Sequence, residues 1–290
     1  MSKARETNHL KTLGPRAAGL LTELHEKRRT IFSIRDVEEM TGLAPKSARS
    51  FAATLVQRGI ATRLKAGLFI LVPFELGRER EYLGNPYLVA RGLAAGRPYF
   101  VSHASAMDLH GMVTQPQLAV YVTSPSAIRG RSILGSEFRF VRCKPEHLFG
   151  VVDHWVDKTE RVVTSDLERT VIDGLKHPEY CGGFSEVAKG FWMRRRDVDV
   201  GRLVGYALRL DVGAVVRRLG FLLEVSGIDA PADLGRLRAR LTATYHLLDP
   251  TLPAEGKRLA RWRIRVNVTP EEIENLRSTG PCSAAFVGQG

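Results

Sequence analysis

The stretch GLAPKSARSFAATLVQRG, residues 42–59, constrains the fold of this chain more than any other segment. Gly42 suits the end of one helix and Pro45 the first turn of the next, so a very short turn must join two helices. Small and apolar residues then recur at three- and four-residue spacing, which predicts a helix face packed against other helices. These residues are Ala48, Phe51, Ala52, Leu55 and Val56.

The flanking segments complete a familiar order of elements. A helix is predicted over 15–28, and a second begins at Ser33, which forms a capping-box pattern with Asp36. Beyond residue 59, IATRLKAGLFILVP predicts two short strands around Lys65-Ala66-Gly67 that end at Pro73. Helix, helix, tight turn, helix and β-hairpin are the order of a winged helix-turn-helix, which we therefore predict over residues 1–80.

In a winged helix-turn-helix the exposed face and first turn of the third helix enter the major groove of double-stranded DNA. Basic and hydroxyl side chains at those positions can contact phosphates and base edges. The predicted DNA-binding residues are Lys46, Ser47, Arg49, Ser50, Thr54 and Arg58 in the helix and Arg63 and Lys65 in the wing. A winged helix that binds protein through a solvated basic face is the alternative.

The distribution of charge favours DNA. The chain has a formal net charge of +12. Residues 1–80 hold 15 Lys and Arg against 8 Asp and Glu, a net charge of +7 in little more than a quarter of the length. A basic excess concentrated in one segment is typical of proteins with polyanionic partners, nucleic acid above all.

The remainder predicts a second, larger domain over 81–290, after a charged connection at 74–85. Residues 81–165 alternate between helical and strand patterns and indicate a mixed α/β region. Residues 166–290 are mostly helical, with a terminal strand predicted in RWRIRVNV, residues 261–268, where Trp262, Ile264 and Val266 alternate with arginine. The fold class is therefore α+β, a winged helix-turn-helix followed by a larger mixed domain with a helical second half.

The composition and the cysteine pattern indicate the class of protein and its cellular compartment. With 44% hydrophobic and 26% charged residues the chain should fold, and it lacks the run of about 18 apolar residues that a membrane span needs. The polar first 15 residues predict no secretory signal. Cys143, Cys181 and Cys282 are odd in number and widely spaced, against a disulfide framework or a zinc site. We expect a protein of the reducing cytoplasm without a membrane partner.

The segments of the sequence that come near to known catalytic motifs lack the residues that those motifs require. GRSILGSE, residues 130–137, has the glycine spacing of a phosphate-binding loop but Ser136 where that loop requires lysine. Asp197 and Asp199 are interpreted as an acidic helix start rather than a magnesium site. We therefore expect no metal, no cofactor and no enzymatic activity.

Two weaker catalytic alternatives remain open in the sequence. His103 and His110 share a helix face but lie about 10 Å apart along it, too far to bind one metal ion. A catalytic pair of His103 with Asp108, or with a neighbouring serine, stays possible, although a buried or capping histidine is the more common case. Cys143 beside Lys144 could be a thiol of lowered pKa.

Two groups of arginines stand out in the larger domain: Arg194, Arg195 and Arg196, and Arg261, Arg263 and Arg265. Such groups are commonly solvated surface. The sharper interpretation is a surface for an extended acidic protein or nucleic-acid partner.

Three stretches in this order, AGLFILVP, SHASAMDLHGM and TSDLERTVIDGLKHPEYCGG, resemble the AbiEi family of antitoxins from type IV, abortive-infection toxin–antitoxin systems. The resemblance covers about residues 15–277. It implies an N-terminal winged helix that binds inverted repeats in the promoter of its own operon. It also implies a larger C-terminal domain that counteracts a cognate nucleotidyltransferase-like toxin.

Within the third stretch, Glu168, Arg169 and Asp173 match the acidic and basic pattern of the family. We interpret this pattern as structural, with Glu168 at a helix start and Arg169 paired with Asp173 four residues later. The expected function is that of an autoregulating transcriptional repressor and antitoxin. The alternative is a DNA-targeted enzyme, such as a nuclease or restriction component, that uses the winged helix for targeting.

Overall fold

The computed structural model describes residue 11 and residues 13–113, 118–269 and 271–272. The chain divides into two compact units. The smaller unit comprises Met1–Arg97, Gly130–Phe138 and Val156–Glu160. The larger unit comprises Pro98–Arg129, Arg139–Trp155 and Arg161–Gly290. Cys282 lies outside the described residues.

In the smaller unit, helices alternate with a three-stranded antiparallel sheet of order β1-β3-β2. Its helices are α1 (Pro15–Glu26), α2 (Ile34–Thr41), α3 (Pro45–Gln57) and α4 (Pro86–Ala94). Its strands are β1 (Ile31–Ser33), β2 (Ala61–Lys65) and β3 (Leu68–Leu71). The additional strand β1, which the sequence did not predict, pairs with β3.

Local sequence signals set both the start of α2 and the junction between α2 and α3. Ser33 and Asp36 form the predicted capping box, with the Ser33 backbone N–H donating to Asp36 Oδ2 at 2.7 Å. Gly42 ends α2 with a left-handed φ of 67°, a conformation that glycine adopts without strain. Pro45 begins α3. The predicted buried face of α3 is confirmed at Ala48, Ala52 and Leu55, while Phe51 and Val56 are half-buried.

In the larger unit, strands β7, β5, β4, β9 and β8 lie side by side in that order, and β4 and β9 run parallel. The chain order of its sheet and first helix is β4 (Phe100–Val101), α5 (His103–Leu109), β5 (Ala119–Ser124), β6 (Arg131–Ile133), β7 (Ser136–Arg142), β8 (Val151–Trp155) and β9 (Arg161–Ser165). The pairing of β6 with the first residues of β7 falls in the smaller unit. The segment GRSILGSE, which has the glycine spacing of a phosphate-binding loop, thus forms a β-hairpin.

Helices follow, as predicted from residue 166: α6 (Leu167–Lys176), α7 (Phe184–Arg194), α8 (Val200–Leu210), α9 (Gly213–Val225) and α10 (Pro231–Arg238). A small sheet of order β10-β12-β11 completes the unit, from β10 (His246–Leu247), β11 (Lys257–Leu259) and β12 (Ile264–Val266). Helix α6 is central: Asp166 caps it and the predicted Arg169–Asp173 pair is confirmed at 2.9 Å, with both side chains buried. None of the helices in the described ranges has the length and apolar character needed to cross a bilayer.

The predicted terminal strand over 261–268 is wrong in extent. Ala260–Trp262 is a 3-10 helix, Arg263 has a left-handed φ of 50°, and only Ile264–Val266 is a strand. The physical reason is Trp262, which is fully buried against Gly220 of α9 and draws the backbone out of an extended path. The arginines at 261, 263 and 265 therefore do not share one strand face.

Candidate nucleic-acid interface

The exposed face of α3 is built by the burial of the opposite face. Because Ala48, Ala52 and Leu55 pack inward, the residues between them point outward. Lys46, Ser47, Arg49 and Ser50 are all exposed in the first turns. The residue before the helix is Ala44, which offers no side-chain cap, so the first backbone N–H groups face outward at the positive end of the helix dipole.

Three cations on this surface have no partner within the described part of the chain. Lys46 and Arg49 on α3 and Arg63 on β2 are exposed, and none of their side chains forms an ion pair or hydrogen bond there. The hydroxyls are less free to donate, because Ser50 Oγ donates to the Lys46 carbonyl at 3.2 Å and Thr54 Oγ1 to the Ser50 carbonyl at 3.0 Å. The cations, rather than these hydroxyls, are therefore the groups of this surface that are free to attract an anion.

A cleft of about 520 Å³ brings the helix and the hairpin together. Arg49 of α3 and Arg63 of β2 line it, over a mostly apolar floor. The floor and remaining walls are Ile34, Ala53, Val56, Gln57, Ala66, Gly67 and Phe69. The sequence reasoning missed Ala53 and Gln57, although their spacing of four and eight residues from Arg49 places them on the same helix face.

The predicted wing residue Lys65 makes a contact within the smaller unit. Its ammonium donates to the Leu93 carbonyl of α4 at 3.0 Å, so it binds within the unit. Burial lowers the pKa of Lys65, and the positive charges of Arg131 and Arg97 lower that pKa further. Arg58 is exposed but sits at the C-terminal end of α3, away from the basic first turn. Of the predicted DNA-binding cations, Lys46, Arg49 and Arg63 are thus exposed at the first turns of α3 or in the cleft. Lys65 is held by a contact within the unit, and Arg58 lies at the other end of α3.

The run Arg194–Arg196 is largely engaged within the larger unit. Arg194 Nε pairs with Asp197 Oδ2 at 2.8 Å, and its NH1 group donates to the His110 carbonyl at 2.7 Å. Arg195 stacks on the Trp192 ring, 3.8 Å from its centroid. Arg196 is exposed and makes no ion pair among the described residues. Two of the three side chains thus have structural contacts.

The arginines near the C-terminal sheet separate as well. Arg261 Nε pairs with Glu224 Oε1 at 2.7 Å. Arg263 lies over the Tyr245 ring at 5.6 Å, and Arg265 donates to the Ala254 carbonyl. The three side chains contact separate partners, so the described residues show no continuous arginine stripe.

His103 and His110 both have contacts that are typical of structural histidines. His103 is 2% exposed, and its Nδ1 lies 2.9 Å from Ser102 Oγ. Burial lowers the pKa of His103 to about 4, so the ring is neutral at pH 7, packed against the rings of His177 and Tyr180. His110 donates from Nε2 to the Ser165 carbonyl at 2.7 Å. These contacts are those of core and capping histidines.

The other candidate groups lack the required chemistry. Burial raises the pKa of Cys143, whereas a nucleophilic thiol needs a lowered pKa, so that suggestion is wrong. Asp199 caps α8 by accepting from the Arg202 N–H at 2.9 Å, as predicted for an acidic helix start. Within the described ranges, no three His, Cys, Asp or Glu side chains come together as metal ligands.

The described arrangement defines a mixed α/β protein with an exposed basic helix face. In fold it is similar to the crystal structure of the RV2827C protein from Mycobacterium tuberculosis, with a TM-score of 0.63 and 16% sequence identity. The match covers 87% of this chain and 92% of that chain. No protein-family model matches the chain, and no curated protein does. At this identity the likeness concerns the fold alone.

Proposed function

We propose that this chain is a DNA-binding transcriptional autoregulator and antitoxin of the cytoplasm, with residues 1–80 acting as a winged helix-turn-helix. In this proposal α3 is the recognition helix and the β2–β3 hairpin is the wing. Its DNA target is a set of inverted repeats in its own promoter. The larger unit counteracts a cognate nucleotidyltransferase-like toxin, as the resemblance to AbiEi antitoxins implies.

One observation carries the DNA-binding part: Lys46, Arg49 and Arg63 are exposed around one helix turn and cleft without partners in the described part of the chain. Exposed cations that have no partner in the described part of the chain favour binding of a negatively charged molecule. Arginine can bind the O6 and N7 atoms of guanine with two hydrogen bonds, and the cleft lets Arg49 and Arg63 approach one duplex together. The uncapped start of α3 adds N–H donors for a phosphate.

The test is a gel shift of the full-length protein on its own promoter fragment. Arg49→Ala should weaken binding by about 1–3 kcal/mol and relax sequence preference if it contacts a guanine edge. Arg16→Ala is the matched control, since Arg16 is an exposed arginine of α1 in the same unit, away from the cleft. Lys65→Ala should change affinity less than Arg63→Ala, because Lys65 is bound to Leu93.

The same variant separates the two roles. With the toxin expressed from an unrelated promoter, Arg49→Ala should still restore growth, because Arg49 belongs to the smaller unit. If Arg49→Ala binds the promoter as the Arg16→Ala control and wild type do, at several salt concentrations, the assignment of α3 as the recognition helix fails. If wild type does not bind the promoter fragment, the DNA-binding proposal fails. If Arg49→Ala loses neutralisation while it remains folded, the assignment of the antitoxin role to the larger unit fails.

A further inference from the structure

A second surface feature lies in the larger unit, between the C-terminal end of α9 and the edge strand β11. This α9–β11 groove has a volume of about 770 Å³. Its floor is apolar and is formed by Phe221, Val225, Ile228, Leu234, Leu259 and Val266. Phe221, Val225 and Leu234 are each 8% exposed, so they form the outer layer of the core at the base of an open groove.

The rim of the groove is basic. Lys257, Arg258 and Arg261 line it, and all three are exposed. Lys257 has no ion-pair partner in the described residues, and Arg258 lies over the Tyr245 ring at 5.5 Å. The cations thus outnumber the single acidic residue of the lining, Glu224, by three to one.

Glu224 is already committed to internal contacts. Its Oε1 accepts from Arg238 at 2.8 Å and from Arg261 at 2.7 Å. Its Oε2 accepts from Trp262 Nε1 at 2.7 Å. Because three donors occupy this carboxylate, it does not offset Lys257 and Arg258, and the rim keeps an uncompensated positive charge.

Strand β11 forms one wall of the groove and lies at the edge of its sheet, since β12 pairs with it on one side only. An apolar floor with a one-sided basic rim is complementary to a chain segment that is apolar on one face and acidic on the other. Nucleic acid fits this groove less well, because an apolar floor offers its phosphates no counter-charge.

We propose that the α9–β11 groove binds a short acidic amphipathic segment of a partner protein. Apolar side chains of that segment occupy the floor, and its carboxylates pair with Lys257 and Arg258. This surface is independent of the proposed DNA binding, because all of its residues belong to the larger unit. The proposal holds or fails whatever the promoter gel shift shows.

The test uses full-length protein and fluorescence anisotropy of synthetic amphipathic peptides. One peptide places Glu and Leu on opposite faces, a second replaces Leu by Ser, and a third replaces Glu by Lys. Only the Glu/Leu peptide should bind. Lys257→Glu with Arg258→Glu should weaken it by roughly tenfold or more. Arg129→Glu with Arg142→Glu is the matched control, since these exposed arginines of the same unit lie outside the groove.

Two further measurements locate the binding. Ile228→Asp should weaken the Glu/Leu peptide as well, because it places a carboxylate on the apolar floor, and circular dichroism checks that this variant is folded. Hydrogen exchange in wild type should slow in β11 and in the last turn of α9 when the peptide binds. Protection elsewhere would overturn the proposal, even if the peptide binds.

The remaining outcomes also decide the matter. Equal binding of the Glu/Ser peptide would reduce the groove to a general polyanion surface and overturn the proposal. The proposal is also wrong if the Lys257/Arg258 variant loses affinity for an unrelated DNA duplex and keeps the peptide. If that variant instead abolishes self-association seen in ultracentrifugation, the occupant is a second copy of this chain.

Discussion

Replacing Gly220 by alanine should destabilise the larger unit, although alanine is the better helix former. Gly220 lies inside α9, directly beneath the buried ring of Trp262. A Cβ at position 220 would lie less than 3.0 Å from three carbons of that ring, closer than real Cβ contacts allow. The ring has little freedom to withdraw, because it is fully buried and its Nε1 donates to Glu224.

The magnitude follows from two opposing contributions. Overpacking a core costs about 1–3 kcal/mol, and a rigid ring in contact at three atoms belongs at the upper end of that range. Alanine returns about 1 kcal/mol of helix propensity relative to glycine. The net loss is then about 2 kcal/mol. For a unit of about 180 residues this lowers the melting temperature by about 4–8 °C.

Gly205→Ala is the matched control in the same unit. Gly205 lies inside α8, and a Cβ there would meet no atom within 4 Å. Only the propensity gain of about 1 kcal/mol remains, so the melting temperature should rise by about 2–4 °C. Scanning calorimetry of both variants measures the two shifts, which should have opposite signs.

A second substitution identifies the cause of the Gly220 effect. In a Trp262→Leu background the obstructing ring is gone, so Gly220→Ala should cost little or become favourable. The packing of Trp262 on α9 is refuted if Gly220→Ala raises the melting temperature as Gly205→Ala does. An undiminished cost in the Trp262→Leu background would refute it equally.

Two other predictions concern buried charge. Arg169→Met should destabilise the protein by about 3–5 kcal/mol in urea denaturation, because Asp173 stays buried without its cation. Adding Asp173→Leu should recover most of that loss, and equal stability of the single and double variants would contradict the argument. Stability should also fall as the pH drops from 6.5 towards 4: burial lowers the pKa of His103 to about 4, so the unfolded chain binds the proton first. His103→Gln should flatten that part of the pH profile, and an unchanged slope would show that other groups cause it.

Features that depend on neighbours in sequence could be predicted. The capping box at Ser33, the helix end at Gly42 and the cap at Asp199 each involve residues within a few positions, and all three are present. The Arg169–Asp173 pair has the same local character, because four residues bring two side chains to one face of a helix.

Features that depend on contacts between residues far apart in the sequence could not be predicted. Alternation around Trp262 suggested a long strand, but Gly220, more than forty residues earlier, receives the ring and bends the chain. Lys65 looked like a free wing residue, yet its partner Leu93 lies 28 positions away. In the cleft, Arg63 joins Arg49 only because the hairpin folds beside α3, which no spacing within α3 specifies.

The stretches that carry the resemblance to AbiEi antitoxins are mostly interior. Ser102, His103 and Met107 in the second stretch are at most 2% exposed, and Glu168 and Arg169 in the third are at most 1% exposed. Such residues constrain how α5 and α6 pack, so a resemblance at these positions concerns the interior of the protein and not its binding surfaces. The proposed recognition of DNA and of a partner protein depends instead on exposed groups, namely the basic face of α3 and the rim of the α9–β11 groove. Two chains with the same interior can therefore recognise different DNA and different proteins, and the variants that decide function must be made on those surfaces.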